Sequence, residues 1–386
     1  MDASRRSLIA NGLILVSIVV LAMVYFTPVW WVSLTAPNYP PEAFPDGVRI
    51  HFHMNGVFNG CEKIAKTEIS EVEALDCVHE MDTINHYVGM YPIAAGGVLE
   101  RAFSQFLIVM LAVMLLGFMF LNPNIRSVVL AAGFTAVAVW MGLTWYGADG
   151  LKYQNDGYLE ALVTALDQDT SSDVTVSPGD AIIERLKASL EASGVEVDGQ
   201  DAGADSPTGK ARNIEHLRVT FEKDQERRKP SERMKWEGSE SQMVAWHYEK
   251  SLARYFNVPE QIKPMVATMS TAGHVVFWAM LAAMVFLVVA TRKNGSVLYW
   301  LLVVPAILLP VVFLVDYSAW LWWYGHTLND MGAFTVKPFM PTVFGDGKVA
   351  QFTTHSYPYI GFGLMVLSSL LLVIAANLRF KYFKQQ

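Results

Sequence analysis

The chain has 386 residues, of which 53% are hydrophobic and only 17% charged, where a soluble domain carries nearer a quarter. Its net charge of −7 excludes the basic face that nucleic acid demands, and two cysteines are too few for a disulfide scaffold. The charge deficit comes from long apolar runs, so the expected class is an integral membrane protein, mainly α-helical, with about six transmembrane helices, outward-facing loops and an acidic helical insertion.

In chain order, residues 7–26 form the first apolar run. It follows "SRR", but it is longer than a signal-peptide core. "TPVWW" stands where a small-residue cleavage site would be, so 1–26 reads as a retained transmembrane anchor. The next region, 27–102, faces outward and reads as partly β. "GVRIHFHMNGVFNG" alternates with period two, and Asn55-Gly56 and Asn59-Gly60 are hairpin signals. The alternation places His51 and His53 on one face of a strand and Ile50, Phe52 and Met54 on the other. Spans two and three, 103–121 and 127–146, fill 103–146.

Region 147–272 is acidic and helical. Residues 177–194, 211–229 and 239–256 read as helices, their charges as a solvated face, and 198–210 as a flexible linker. Spans four and five, 273–290 and 297–320, occupy 273–320. Region 321–358 holds Pro338, Pro341, Pro358 and the turn signal "GDG", and reads as a rigid extended loop. Trp-Tyr-Gly recurs at 145–147 and 323–325 as two interfacial aromatic anchors. The sixth span, 359–377, leads into a basic tail that ends the region 359–386.

Lysine and arginine beside the spans set orientation. Arg5 and Arg6, Arg126, Arg292 and Lys293, and then Arg379, Lys381 and Lys384 all fall on one side if there are six spans. That side is expected to be the cytoplasm, with both termini in it. The long loops would then face the periplasm of a bacterial inner membrane.

The outward segments gather soft-metal ligands. The first contains His51, His53, Met54, Cys61, Cys77, His79, Met81, His86 and Met90; the third adds His326, Met331, Met340 and His355. Thiolate and thioether suit Cu(I), and imidazole also suits copper. His51 and His53 at i, i+2 on a strand either converge on one ion or form a polar strand face. His86 and Met90 at i, i+4 either share a ligand face or pack in a turn. His326 is either a ligand or a helix-end histidine bonded to a neighbouring loop. For His274 and His355 ordinary hydrogen bonding is the stronger expectation. Cys61 and Cys77 either form a disulfide, as an oxidising compartment favours, or act as thiolate ligands. The expected site is therefore copper held by His51, His53, His86, Met90 and His326.

No GxSxG, HExxH, Walker A or CxxCH pattern occurs, so acyl hydrolysis, zinc proteolysis, ATP use and c-type haem attachment lack their motifs. The motifs "HFHMNG", "NHYVGM" and "YGHTL" with the following "PFMPTVFG" resemble those of a little-characterised family of bacterial membrane proteins encoded beside nitrous oxide reductase and other copper-enzyme genes. Thr342 stands where that pattern has a second proline, and the resemblance leaves the acidic region uncovered. It implies an accessory protein or subunit that handles copper at the periplasmic face for a copper oxidoreductase. The alternatives are a metal-free docking subunit of a large membrane complex and a catalytic subunit of a copper membrane oxidase or monooxygenase. An accessory role without catalysis by this chain is the leading expectation.

Overall fold

A computed structural model describes residues 3–37, 39, 44–61, 97–167, 209–255, 259–331, 340–349 and 352–384. The fold is mainly helical. Among the described residues six helices are long and apolar enough to cross a membrane: Arg5–Phe26, Val98–Met119, Pro123–Tyr146, Ile262–Ala290, Val304–Trp323 and Ile360–Phe383. They suggest a multi-pass membrane protein. Among the described residues the α-helices and strands begin with α1 (Ala3–Phe26), β1 (Trp30–Thr35), β2 (Val48–His53), β3 (Gly56–Asn59), α2 (Val98–Met119) and α3 (Pro123–Tyr146). They continue with α4 (Asp156–Asp167), α5 (Gly209–Arg227), α6 (Glu240–Tyr255), α7 (Pro259–Ala290), the single turn α8 (Val297–Trp300), α9 (Val304–Met331), β4 (Gly345–Val349), β5 (Phe352–Pro358) and α10 (Ile360–Phe383).

Several boundaries differ from the hydropathy reading, each for a local reason. Span two starts a turn early, at Val98, because Glu100 suits the positive end of a helix dipole although it interrupts the apolar run. Span three starts at Pro123, pre-set for a first helical turn, and the Asn122 side chain caps it by accepting from the Asn124 and Ile125 amides. The run 297–320 is not one helix. It breaks after Trp300 and resumes at Val304, where Pro305 fits only the first turn of a new helix. Helix α7 begins at Pro259, far ahead of Gly273, so its first turns rise beyond the bundle to meet α6.

A five-stranded antiparallel sheet, in order β3-β2-β1-β5-β4, caps one end of the bundle. It joins the first and third inter-span segments directly: Trp30 pairs with Pro358 and Leu34 with Thr354. Backbone bonds from Tyr359 N to Val29 O (3.0 Å) and Gly361 N to Pro28 O (2.8 Å) carry the closure into α10. A Cβ on Gly361 would lie 2.8 Å from that same Pro28 oxygen, so only glycine permits this approach. Helix α1 then packs along α10. The inner sheet face packs Trp30, Val48, Ile50 and Phe52 against Tyr317 and Leu321 of α9.

The proline-rich loop is therefore only partly extended loop. α9 runs on to Met331, and the "GDG" residues, Gly345 to Gly347, lie in strand β4 rather than in a turn. The hairpin at "MNG" forms with Met54 and Asn55 as its two turn residues and His53 paired to Gly56. Met54 thus sits in the turn, not on the strand face opposite the histidines.

The helical insertion lies at the same end. Asn55 Nδ2 donates to Asn155 Oδ1 (2.7 Å), and Gln154 Nε2 donates to the Ala102 carbonyl (3.1 Å). Helices α5 and α6 occupy the expected stretches, and α4 is an addition. The expected helix at 177–194 and most of the linker at 198–210 lie outside the described residues. The charges here are not all solvated. Asp224 is buried, accepts from Trp246 Nε1 (3.0 Å) and is paired with Arg228 and Lys250.

At the opposite end, Arg126 and Arg379 are fully buried. Arg126 donates to the carbonyls of Phe120, Thr291 and Arg292 and to Asn294 Oδ1. Arg379 donates to Ser7 Oγ, Asn11 Oδ1 and the Met119 carbonyl. Both satisfy carbonyls at the C-terminal end of α2, which its own helix leaves open.

Candidate functional site

Strand β2 alternates buried and half-buried residues, so Arg49, His51 and His53 share the outer sheet face while Ile50 and Phe52 face the core. Residues two apart on a strand have Cα atoms about 7 Å apart, within which two imidazoles can reach one ion. The His51 ring stacks on Tyr359 (centroids 5.1 Å apart), and Arg49 lies over Trp31 (4.2 Å) and Tyr359 (5.3 Å). Gly60 makes room for that ring; a Cβ there would sit 2.9 Å from it.

His51 Nε2 is buried and meets no hydrogen-bond partner among the described residues. Burial and then the neighbouring Arg49 charge hold its pKa below the ordinary value. His53 packs edge-on against Phe58 (5.1 Å). Burial, then the His51 charge, lowers its pKa to about 4. Both imidazoles are thus held neutral near pH 7, the form that binds metals.

The other expected ligands divide. His326 Nδ1 contacts the Trp322 carbonyl at 2.7 Å, one turn back in its own helix, and its ring stacks on Trp322 at 4.5 Å. His86, Met90 and Cys77 lie outside the described residues. Cys61 stands just past β3, its amide bonded to Asn59 Oδ1 (2.9 Å). Among the described residues no three of histidine, cysteine, aspartate and glutamate group to hold a metal ion.

His355 spends both ring nitrogens, on Asp346 Oδ1 (2.6 Å) and Thr35 Oγ1 (3.1 Å). His274 Nδ1 receives Trp145 Nε1 (3.3 Å) and lies 2.8 Å from the Tyr146 hydroxyl. Trp145 of the first Trp-Tyr-Gly is therefore buried in the bundle while Tyr146 beside it is exposed, and Trp323 of the second is half-buried.

A buried polar cluster escaped the sequence reading. Tyr158 donates to Glu240 Oε1 (2.5 Å), both fully buried, and this pair meets the charge of Arg101 at the head of α2. Glu100 and Arg101 stand just ahead of the apolar run, and extending span two by one turn would have included them. No family model, curated protein or solved structure matches the chain.

Proposed function

We propose that this chain is an inner-membrane accessory protein or subunit that holds copper at the sheet end of its bundle for a copper oxidoreductase. His51 and His53 form the core of the site, with His86, Met90 and His326 supplying the rest. The observation that carries this reading is His51 Nε2, a buried imidazole nitrogen with no partner among the described residues, beside a second neutral imidazole on the same strand face. A buried lone pair left unmade costs about 1–3 kcal/mol, which a metal bond would offset.

The sheet end faces the periplasm in this reading. Arg5, Arg292, Lys293, Lys381 and Lys384 remain exposed at the other end, and they carry the cytoplasmic signal without Arg126 and Arg379. A Cys61–Cys77 disulfide would tie the β3 end to the segment that carries His86 and Met90, worth about 3 kcal/mol by chain entropy.

Copper titration of the purified protein tests the assignment. Wild type should bind about one copper per chain, and His51→Ala with His53→Ala should weaken binding by well over the roughly tenfold effect of a lost outer-shell partner. Unchanged stoichiometry with a smaller loss would leave the metal-free docking subunit as the better reading.

A further inference from the structure

Beneath the sheet, α9 packs on α10 while α2 packs on α1 and α3. A cleft of about 430 Å³ remains between α2, α7 and α9, inside the range of roughly 300–1,000 Å³ typical of small-molecule sites. Its wall is mostly apolar, and four rings face it: Phe52, Phe103, Phe313 and Tyr317. Its mouth opens on the side of the bundle, where Leu107 is 38% and Val312 57% exposed. His53 closes the cleft at the sheet.

Two carboxyl groups also line it. Glu100 stands in the first turn of α2, and Asp316 lies within span five, about 10 Å below Trp323 at 1.5 Å per residue. Carboxyl groups at membrane depth are costly and face a partner or a cavity that uses them. Asp316 is exposed on its helix and forms no ion pair among the described residues.

We propose that this cleft binds a lipid-soluble hydroquinone-type molecule, its ring among the four aromatic side chains and its hydroxyls on Glu100 and Asp316. A hydroxyl both donates and accepts, so it satisfies a carboxyl group in either protonation state. An anionic lipid head would be repelled. A flat ring suits the aromatic wall, and an alkyl tail leaves past Val312 into the bilayer. The site does not depend on copper.

Saturation binding tests it, with the metal-free full chain in nanodiscs and a radiolabelled decyl-chain benzoquinol. The expected result is one saturable site per chain. The bis-methyl ether of the same molecule, which cannot donate, should bind at least tenfold more weakly. Asp316→Leu should weaken the quinol by a similar factor, and Val312→Trp should block the mouth, each variant melting as wild type does. Should Val312→Trp fail to fold, the ether comparison needs no change in the protein and still decides. Equal binding of quinol and ether, an unaffected Asp316→Leu, or no saturable binding would overturn the proposal and leave an apolar recess filled by lipid. Copper content should be unchanged in these variants, so this result and that of the copper titration fail independently.

Discussion

Arginine beside a span reads as an orientation signal, yet Arg126 and Arg379 act as buried braces. Their forked guanidinium groups bridge separate helices by hydrogen bonds to carbonyls, a task that one point charge performs poorly. Arg379→Met strands the Met119 carbonyl, Ser7 and Asn11 together. It should cost on the order of 3 kcal/mol and lower the melting temperature in detergent. Arg379→Lys should recover only part of that loss. An unchanged melting temperature for the methionine variant would contradict the bracing role. His51 belongs to the same scale: its partnerless nitrogen is a property of packing against Tyr359, Arg49 and the Gly60 backbone, residues distant from one another in part, and spacing alone could not reveal it.

The helical insertion holds a buried carboxyl, Glu240, within reach of the Arg101 charge at the head of α2. Burial pushes Glu240 up to about 7, against the opposing pull of the Tyr158 hydroxyl and the Arg101 charge. The ordinary value is 4.5, so the folded protein holds the proton more tightly than the unfolded chain. This contribution is complete below about pH 4.5 and is lost as pH rises through about 7. Glu240→Gln, which still accepts from Tyr158, should melt above wild type at about pH 8 and alongside it at about pH 5. Melting curves at the two pH values check this; a variant less stable than wild type at about pH 8 would refute it.

The elements themselves were partly legible. Period-two alternation and the "NG" signal located β2 and β3, because those cues are local. Strands β1, β4 and β5 were missed: β1 finds its partner β5 some 320 positions away, and β4, paired locally to β5, carries the "GDG" that read as a turn. Glu100 and Arg101 were read as loop because hydropathy does not register a charge that a helix terminus welcomes.

At the scale of the molecule, six long apolar helices and one shared sheet bring described parts of the three long inter-helix segments to the same end, opposite the exposed basic residues. Apolar length and charge position are sequence properties, so this part was readable. The meeting of the cleft, the His51–His53 face and the docked insertion was not, because each draws on helices far apart in the chain. Copper at the sheet face is the central claim, and metal content of the protein purified from its native membrane without added metal tests it most directly. About one copper per chain, absent from the paired variant His51→Ala and His53→Ala of equal thermal stability, is the predicted result. A wild-type protein without copper, or a double variant that retains it, would contradict the claim.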